Sequence, residues 1–413
     1  MSLTVIRLLA LLSISIFSSY AYLHAHNHSS PAPDFNCTQI GEAGGFQTFI
    51  LNNSRGMVAR FIPYGATITH FHVPDRQGLP RDVVLGFDDP SFYCTYPQHP
   101  YFGAAIGRVA NRIANCSFQL EGETYNLSCN ENTNSSHPDT LHGGVIGFDR
   151  RHWDVVHYSQ SSITFSLFSP DGEMGFPGDL YLTITYTLTE NSWRITYSAS
   201  SSSASFPSTL SSAKSSSKDT VVALTQHTYW NLNANVNNTA TVLDHVLYVN
   251  ASKYVKVNAQ LIPTGEISTV STAPWLDFTH AKMIGRDIAN GTVTPQGGYD
   301  NALVFDDWVP DQKPTPRVIL ASPLTGITLS MVTDQPSVQF YSGNFLDGTI
   351  PRKKDQGGED REKSLTQFYQ RYGAAALEAQ ALPDSVHHKN FPSIVLKAGD
   401  TYTQFTEYIF GTF

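Results

Sequence analysis

Short runs rich in valine, threonine and tyrosine follow one another from Phe46 to the C-terminus, with glycine and proline turns between them. Such runs are typical of β-strands, and no long helical periodicity interrupts them. With 41% hydrophobic and only 15% charged residues, the 413-residue chain can bury a large core. No repeat of fixed length and no linker-like change in composition divides it. The sequence therefore predicts an all-β chain built as one large sandwich.

The first 25 residues have the composition of a secretory signal peptide. Arg7 precedes the apolar run LLALLSISIF, and small residues that suit cleavage follow near Ala21 and Ala25. The run is shorter than the roughly 20 apolar residues that a membrane-spanning helix needs, and no later segment reaches that length. We therefore expect a secreted domain over residues 26–413 that has no membrane segment after cleavage.

Nine Asn-X-Ser/Thr sequons agree with secretion and predict N-glycans on the surface. They lie at Asn27, Asn36, Asn52, Asn115, Asn126, Asn134, Asn237, Asn250 and Asn290. A formal net charge of −9 without a basic stripe argues against a nucleic-acid partner.

The four cysteines have no C-x-x-C spacing, which disfavours a zinc or thiol-redox site. In CSFQLEGETYNLSC, Gly122-Glu123 suits a two-residue hairpin loop that sets Glu121 opposite Thr124. That register places Cys116 opposite Cys129 in a non-hydrogen-bonded pair, where side chains lie closest. The hairpin thus predicts a Cys116–Cys129 disulfide and leaves Cys37 and Cys94 as possible partners.

Two segments differ in composition from the strand-like runs. Residues 198–218 are serine-rich and predict a flexible loop inserted between strands. Residues 351–364, PRKKDQGGEDREKS, predict a charged surface loop.

The stretch TQHTYWNL, residues 225–232, places a histidine among aromatic and amide side chains. Read as a strand, it presents Thr225, His227, Tyr229 and Asn231 on one face and Gln226, Thr228 and Trp230 on the other. The histidine is either a buried group satisfied by its neighbours or an acid or base in a ligand pocket. Alternation leaves both interpretations open.

Two later runs alternate in the same way. GAAALEAQ places Glu378 and Gln380 opposite Leu377, and SVQFYSGNF places Gln339 and Tyr341 opposite Val338. A glutamate among alanines belongs either to a solvated strand face or to a small lined cavity.

Three further polar residues are candidates for a site, each with a plainer alternative. Arg112, next to Asn111 in GRVANRIA, can donate a fork of hydrogen bonds or make a surface ion pair. His142 precedes two glycines, which suits a pocket wall but also a solvated loop. Asp300 enters a strand from a turn, where it can simply cap the turn.

Histidine, carboxylate, arginine and glutamine beside aromatic side chains suit a carbohydrate, whose hydroxyls need polar partners and whose C–H faces need rings. The motifs of common nucleotide-binding loops, zinc proteases and serine hydrolases do not occur in the sequence.

Nine motifs, in order, resemble those of the aldose 1-epimerases, the galactose mutarotases. They are VLGFDD, PYFGAAIGRVANRIA, TLHGGVIGFDRRHW, SPDGEMGFPGDL, TQHTYWNL, LIPTGEI, GYDNALVF, QFYSGNFLDGT and LEAQALPDSVHHKNFPS. They span roughly Phe46 to Phe413. The resemblance implies a galactose-mutarotase-like β-supersandwich that needs no cofactor or metal. Its departures from the family pattern include His387 in place of asparagine and Trp230 in place of phenylalanine.

The resemblance also implies roles. It makes Glu378 the general base and His227 the general acid. It implies sugar contacts by Arg112 with Asn111, by His142, by Asp300, by Gln339 and by Tyr229 of H-x-Y-x-N-L. The expected reaction interconverts the α and β anomers of free hexoses such as galactose or glucose. The alternative is a secreted carbohydrate-binding protein that uses the same pocket without turnover.

Overall fold

Strands make up most of the regular structure. The structure is a computed structural model that describes residues 36–98, 100–201, 218–236, 239–291, 297–310, 314–357 and 368–413. The two α-helices are short, α1 (Cys37–Glu42) and α2 (Phe92–Thr95). The strands are β1 (Phe49–Asn52), β2 (Val58–Ile62), β3 (Thr67–Pro74), β4 (Pro80–Asp82), β5 (Ala105–Ile106), β6 (Arg112–Ala114), β7 (Ser117–Leu120), β8 (Glu123–Asn126), β9 (Asp139–Leu141), β10 (Asp154–Tyr158), β11 (Ser162–Ser169), β12 (Leu180–Leu188), β13 (Ser192–Ser200), β14 (Thr220–Val221), β15 (Thr225–Gln226), β16 (Tyr229–Trp230), β17 (Val246–Val249), β18 (Lys253–Val257), β19 (Pro263–Thr269), β20 (Lys282–Met283), β21 (Asp300–Val304), β22 (Val318–Ala321), β23 (Ile327–Thr333), β24 (Ser337–Tyr341), β25 (Ala375–Gln380), β26 (Val395–Leu396) and β27 (Thr401–Thr412).

Three sheets contain most of these strands. The largest has nine strands in the order β10-β11-β12-β13-β27-β23-β22-β17-β20, and a second has six in the order β16-β25-β24-β21-β18-β19. The third contains β1 to β4 in sequence order, and the remaining strands form two-stranded pairs. The neighbouring strands pair antiparallel, as expected for a sandwich whose runs alternate between apolar and polar residues. The predicted all-β fold class is confirmed.

One hydrophobic cluster joins the nine-stranded and six-stranded sheets. Ile184 and Leu329 come from the larger sheet, and Val338 and Leu377 come from the smaller one. The Tyr408 hydroxyl donates to the Leu377 carbonyl at 3.0 Å, so the two layers are also hydrogen-bonded. The alternate residues of β24 and β25 must then point away from this core, to the other face of the six-stranded sheet.

The hairpin that carries the first predicted disulfide has a different register from the prediction. Leu120 pairs with Glu123, so the two-residue loop is Glu121-Gly122, with φ of 51° and 83°. A type I′ loop needs positive φ at both positions and favours glycine at the second, which explains the shift of one residue.

A Cys116–Cys129 disulfide is nevertheless present, with 5.4 Å between the two Cα atoms. The Cys116 carbonyl accepts the N–H of Leu127 at 2.7 Å, so Cys129 lies beyond the ladder and turns back to reach it. The cysteines therefore do not face each other as a non-hydrogen-bonded pair. A second disulfide joins Cys37 of α1 to Cys94 of α2.

The two predicted loops also need correction. Ser198 to Ser200 belong to β13, so the serine-rich insertion begins later than residue 198, and residues 202–217 lie outside the described part of the chain. Residues 351–357 are not simply a charged surface loop, and residues 358–364 lie outside the described part of the chain. Lys353 is fully buried, with its ammonium 2.5 Å from the buried Asp82 carboxylate and bonded to the Thr69 carbonyl. Buried charge requires such pairing, which composition alone does not reveal.

Residues Cys37–Phe413 form one compact unit. The predicted signal peptide, residues 1–25, lies outside the described residues. Within the part that is described, no helix has both the length and the apolar character to cross a membrane.

Candidate active site

The stretch of residues 225–232 is two short strands rather than one. Thr225 and Gln226 form β15, Tyr229 and Trp230 form β16, and His227 lies in the break between them. The His227 main chain is held by hydrogen bonds in both directions with the 103–104 segment, each 3.0 Å long. Trp230 packs in the central core, whereas the ring of Tyr229 stacks on that of His227 at 4.9 Å. As predicted, His227 and Tyr229 therefore lie on one face and Trp230 lies on the other, although the strand is interrupted between them.

Glu378 lies in the middle of β25, on the sheet face opposite the core. Its neighbours Leu377 and Ala379 both belong to the core cluster. Oε1 of Glu378 lies 3.7 Å from Nε2 of His227, and both side chains are buried. Oε2 of Glu378 has no hydrogen-bond partner among the described residues. A buried carboxyl oxygen with unused bonding capacity is unusual in a finished core and indicates a ligand site.

His142 follows β9 in a tight loop. Its φ is 53°, and a Cβ on the next residue, Gly143, would lie 2.1 Å from the Gly107 carbonyl oxygen, so only glycine fits there. The N–H of Asn111 donates to Nδ1 of His142 at 3.1 Å, and the N–H of His142 donates to the Asn111 carbonyl at 3.1 Å. Because Nδ1 accepts a hydrogen bond, the proton of the neutral ring is on Nε2. His142 is therefore held as a hydrogen-bond donor.

Arg112 lies in β6, beside Asn111. Its Nε and Nη2 donate to the two carboxylate oxygens of Glu131, at 2.6 and 3.0 Å. Its Nη1 lies 3.8 Å from Oδ2 of Asp300, and Nε2 of Gln339 donates to Oδ1 of Asp300 at 2.6 Å. Gln339 pairs directly with Glu378 across β24 and β25. Arg112 is thus a buried cation in a partly buried ion pair, not the surface pair that was its alternative. Asp300 binds side chains rather than capping a turn.

Aromatic rings enclose the two histidines. The Tyr101 ring meets His142 edge-on at 4.8 Å and stacks over His227 at 5.7 Å. The Tyr341 ring lies 6.4 Å from His227 and 6.0 Å from Tyr229. Rings of this kind offer apolar faces to the C–H surfaces of a sugar.

The eight residues predicted for a sugar site form one connected group in the structure. Glu378, His227, Tyr229, His142, Arg112, Asp300 and Gln339 contribute side chains, whereas Asn111 contributes mainly backbone groups that orient His142. Sequence reasoning missed Tyr101 and Glu131. Tyr101 could have been found from its place in the PYFG motif, but no local pattern marks Glu131 as the partner of Arg112.

Burial dominates the electrostatics of the group. It raises the pKa of Glu378 well above its ordinary value, the charge of Asp300 raises it further, and the charge of Arg112 opposes both. Burial likewise raises the pKa of Asp300, against Arg112 and the hydrogen bond from Gln339. A raised pKa makes each carboxylate a stronger base once it is ionised.

His142, His227 and Glu378 also have the residue types of a metal site, and their potential ligand atoms lie within 4.8 Å of one another. A metal-bound histidine normally donates its other ring N–H to an acceptor. Nδ1 of His142 instead accepts the Asn111 N–H, which places the proton on the nitrogen that would have to bind the metal. The group is better arranged for hydrogen bonding than for metal coordination.

Several known proteins are similar to this chain in sequence and in fold. The aldose 1-epimerase family model matches residues 47–409. A probable aldose 1-epimerase of Arthroderma benhamiae is 37% identical over 370 residues, covering 83% of this chain and 80% of its own length. The galactose mutarotase of Bos taurus is 36% identical over 368 residues, covering 89% and 95%. The crystal structure of an aldose epimerase homologue from C. elegans matches with a TM-score of 0.73 and 30% identity, covering 88% of this chain and 98% of that one.

Proposed function

The chain belongs to the aldose 1-epimerase family, a family of mutarotases, and we propose that it is a secreted enzyme that interconverts the α and β anomers of free hexoses by acid–base catalysis. One observation carries the mechanism. A buried carboxyl and a buried imidazole, 3.7 Å apart, lie on the same face of the sheet, and one carboxyl oxygen has no partner among the described residues.

The reaction needs one proton acceptor and one proton donor. Glu378 removes the proton from the C1 hydroxyl while His227 delivers a proton to the ring oxygen, and the ring opens to the aldehyde. The aldehyde end rotates, and the ring closes on its other face with the two roles reversed. Both reacting oxygens are bonded to C1, so an acid and a base this close together can reach them at once.

The remaining side chains would bind and orient the sugar. Arg112 presents Nη1 on the side of Asp300, and His142 presents an N–H, so the site offers donors as well as the carboxylate acceptor of Asp300. Oε1 of Gln339 is buried without a partner in the described structure and can accept from a hydroxyl. Galactose and glucose, which carry hydroxyls around the whole ring, suit this set of groups.

Secretion is supported by the first 25 residues, by the two disulfides and by the sequons. Of the seven sequon asparagines that the structure describes, five are exposed: Asn36, Asn115, Asn126, Asn134 and Asn290. Expression of the full chain in a eukaryotic secretory host tests this. We expect protein in the medium that begins near residue 26 and migrates faster after glycosidase treatment; retention in the cell with residue 1 intact would contradict it.

Polarimetry of freshly dissolved α-galactose and α-glucose tests the activity. We expect the purified chain to accelerate the approach to the anomeric equilibrium. An unchanged rate together with measurable galactose binding would instead identify a carbohydrate-binding protein that uses the same pocket. Repeating the assay across hexoses and pentoses would rank the substrates.

A further inference from the structure

The ion pair between Arg112 and Glu131 decides which way the guanidinium points. Glu131 takes Nε and Nη2 through both of its oxygens, at 2.6 and 3.0 Å. Because the guanidinium is planar and two of its nitrogens bind Glu131, only Nη1 can point away from Glu131. Nη1 lies 3.8 Å from Oδ2 of Asp300. Glu131 therefore determines which nitrogen of Arg112 faces the sugar, although Glu131 itself is not among the residues that surround the sugar.

Glu131 is itself held by Asp139. Their main chains exchange two hydrogen bonds, from the Glu131 N–H at 3.2 Å and from the Asp139 N–H at 3.1 Å. Asp139 begins β9, which pairs with β6, so that Ala114 lies opposite Asp139 and Arg112 opposite Leu141. The arginine, its carboxylate partner and Asp139 are thus tied to one another by backbone as well as by side chains.

The Asp139 carboxyl is fully buried and only half satisfied. Asn132 donates to Oδ2 at 2.8 Å, whereas Oδ1 is buried without a hydrogen-bond partner in the described structure. Glu131 and Asp139 are directly opposite each other in an antiparallel bridge, so their side chains are neighbours. An ionised carboxylate that has an unpartnered oxygen and a second carboxylate beside it is unfavourable in a buried place. A proton on Asp139 removes both problems, because the acid then has a hydrogen to donate to Glu131.

From this arrangement we propose that Glu131 and Asp139 share one proton as a carboxyl pair and that the pair positions Arg112 for sugar binding. This inference rests on the proposed function. Protonated Asp139 donates to the Glu131 carboxylate, whose two oxygens hold the Arg112 guanidinium. When Asp139 loses its proton, two adjacent negative charges repel, the fork loosens, and the sugar loses its donor.

The charged groups around the pair agree with this assignment. Burial raises the pKa of Asp139 to about 7, the Asn132 hydrogen bond opposes the rise, Glu131 adds to it, and Arg112 opposes it. The other nearby charges are Asp300, beyond Arg112, and the carboxylate of Asp384, which accepts the Ala114 N–H at 3.1 Å and the ring N–H of His387 at 2.6 Å. Loss of the shared proton should therefore lower the sugar affinity as the pH rises above about 7.

The test compares KM and kcat of the whole chain for galactose between about pH 6 and pH 8.5, together with galactose binding at equilibrium. We expect the wild-type KM to rise about threefold or more over this range while kcat changes less. Glu131→Gln removes the carboxylate that Arg112 binds through two oxygens, and its KM should be about tenfold higher at every pH, with kcat within about threefold. Asp139→Asn cannot ionise, and its KM should not rise with pH.

Glu123→Gln is the matched control, since Glu123 is exposed in the same disulfide-closed hairpin and its carboxylate contacts Tyr125 rather than Arg112. It should retain the wild-type pH profile. The inference is overturned if the KM of Glu131→Gln stays within about twofold of wild type, or if Asp139→Asn shows the same rise as wild type. Thermal denaturation of each variant separates misfolding from lost affinity. If the wild type does not accelerate mutarotation, the proposed function fails, and the binding measurement alone still decides the inference.

Discussion

Arg108 and Arg112 lie four residues apart in the same motif and are both buried, yet they are used in opposite ways. The guanidinium nitrogens Nη1 and Nη2 of Arg108 donate to neutral oxygens on Ser169, Pro170, Pro177, Gly178 and Thr220. Arg112 binds one carboxylate and leaves Nη1 directed at Asp300 without a direct hydrogen bond, at 3.8 Å. Burial alone therefore does not mark a site. The Arg112 region differs because its free guanidinium nitrogen faces a second carboxylate, close to carboxyl and amide oxygens that have no partner in the described structure.

The same difference separates their surroundings. Around Arg108, the chain from Ser169 to Gly178 is folded onto the cation, so removing the cation would leave several carbonyls without a donor. Around Arg112, Glu378 and Gln339 each keep one buried oxygen without a partner in the described structure. In the first region the chain binds both terminal nitrogens of the cation, whereas in the second several polar atoms around the cation are left for a ligand.

The largest expected effect is on the second region. Glu378→Gln should lower kcat about 10²- to 10⁴-fold, because the amide cannot accept the C1 proton. The melting temperature at neutral pH should not fall. Because burial raises the pKa of Glu378, its contribution to the free energy of unfolding decreases as the pH rises. The glutamine side chain does not titrate, so the variant does not lose stability in this way. Polarimetry measures kcat, and thermal denaturation measures the melting temperature. A rate within tenfold of wild type, well short of the roughly 100-fold loss expected at the least, would contradict the role of Glu378 as base.

Arg108→Met should affect the first region and reverse this pattern. The free energy of unfolding should fall by about 3 kcal/mol, because several buried oxygens lose a charged donor at once. The activity of the molecules that remain folded should change little, since Arg108 contacts none of the site residues. Urea denaturation and polarimetry below the midpoint test this. A stable but inactive variant would show that the two arginines are not separate in function.

Arg112→Lys sharpens the contrast at constant charge. The lysine ammonium cannot bind Glu131 in a bidentate way and also reach toward Asp300. We therefore expect KM to rise about tenfold or more. The melting temperature should change far less than in the Arg108 variant. Steady-state polarimetry across galactose concentrations measures KM. The comparison breaks if Arg112→Lys costs stability and leaves KM unchanged.

The smallest effect expected is in the pH dependence of the wild type. The acid side of its kcat/KM profile should be displaced to higher pH, with no loss of activity at the optimum. Glu378 must be ionised to accept a proton, and burial raises its pKa well above the ordinary value. On the acid side, kcat/KM should therefore begin to fall at a higher pH than an exposed glutamate would produce, by about tenfold per unit below the limb. Initial rates in dilute buffers, corrected for buffer catalysis, measure it. A limb at the pKa of an exposed glutamate would contradict the buried base.

Sequence reasoning succeeded where the relevant geometry is local. Alternation along β24 and β25 separates Glu378 and Gln339 from Leu377 and Val338, because successive residues of a strand always face opposite ways. The order of nine motifs then added the roles that alternation could not assign.

Prediction from the sequence failed where two interacting residues are far apart in the chain. Glu131 meets Arg112 across a disulfide-closed hairpin, and Lys353 meets Asp82 from the far end of the chain. The break at His227 and the hairpin register were also missed. The break reflects pairing with the distant 103–104 segment, and the register reflects which residues of the turn accept a positive φ.

We expect the Cys116–Cys129 disulfide to make the Arg112–Glu131 ion pair dependent on the oxidation state of the surroundings. Arg112 precedes the first cysteine by four residues and Glu131 follows the second by two, so the covalent bond already brings the two charges close in the unfolded chain. Closing a loop of this size without the bond costs about 3 kcal/mol of chain entropy. In a reducing cytosol the disulfide would be absent, and this entropy would be subtracted from the free energy that the ion pair contributes. The same polypeptide would then hold Arg112 less firmly inside a cell than outside it.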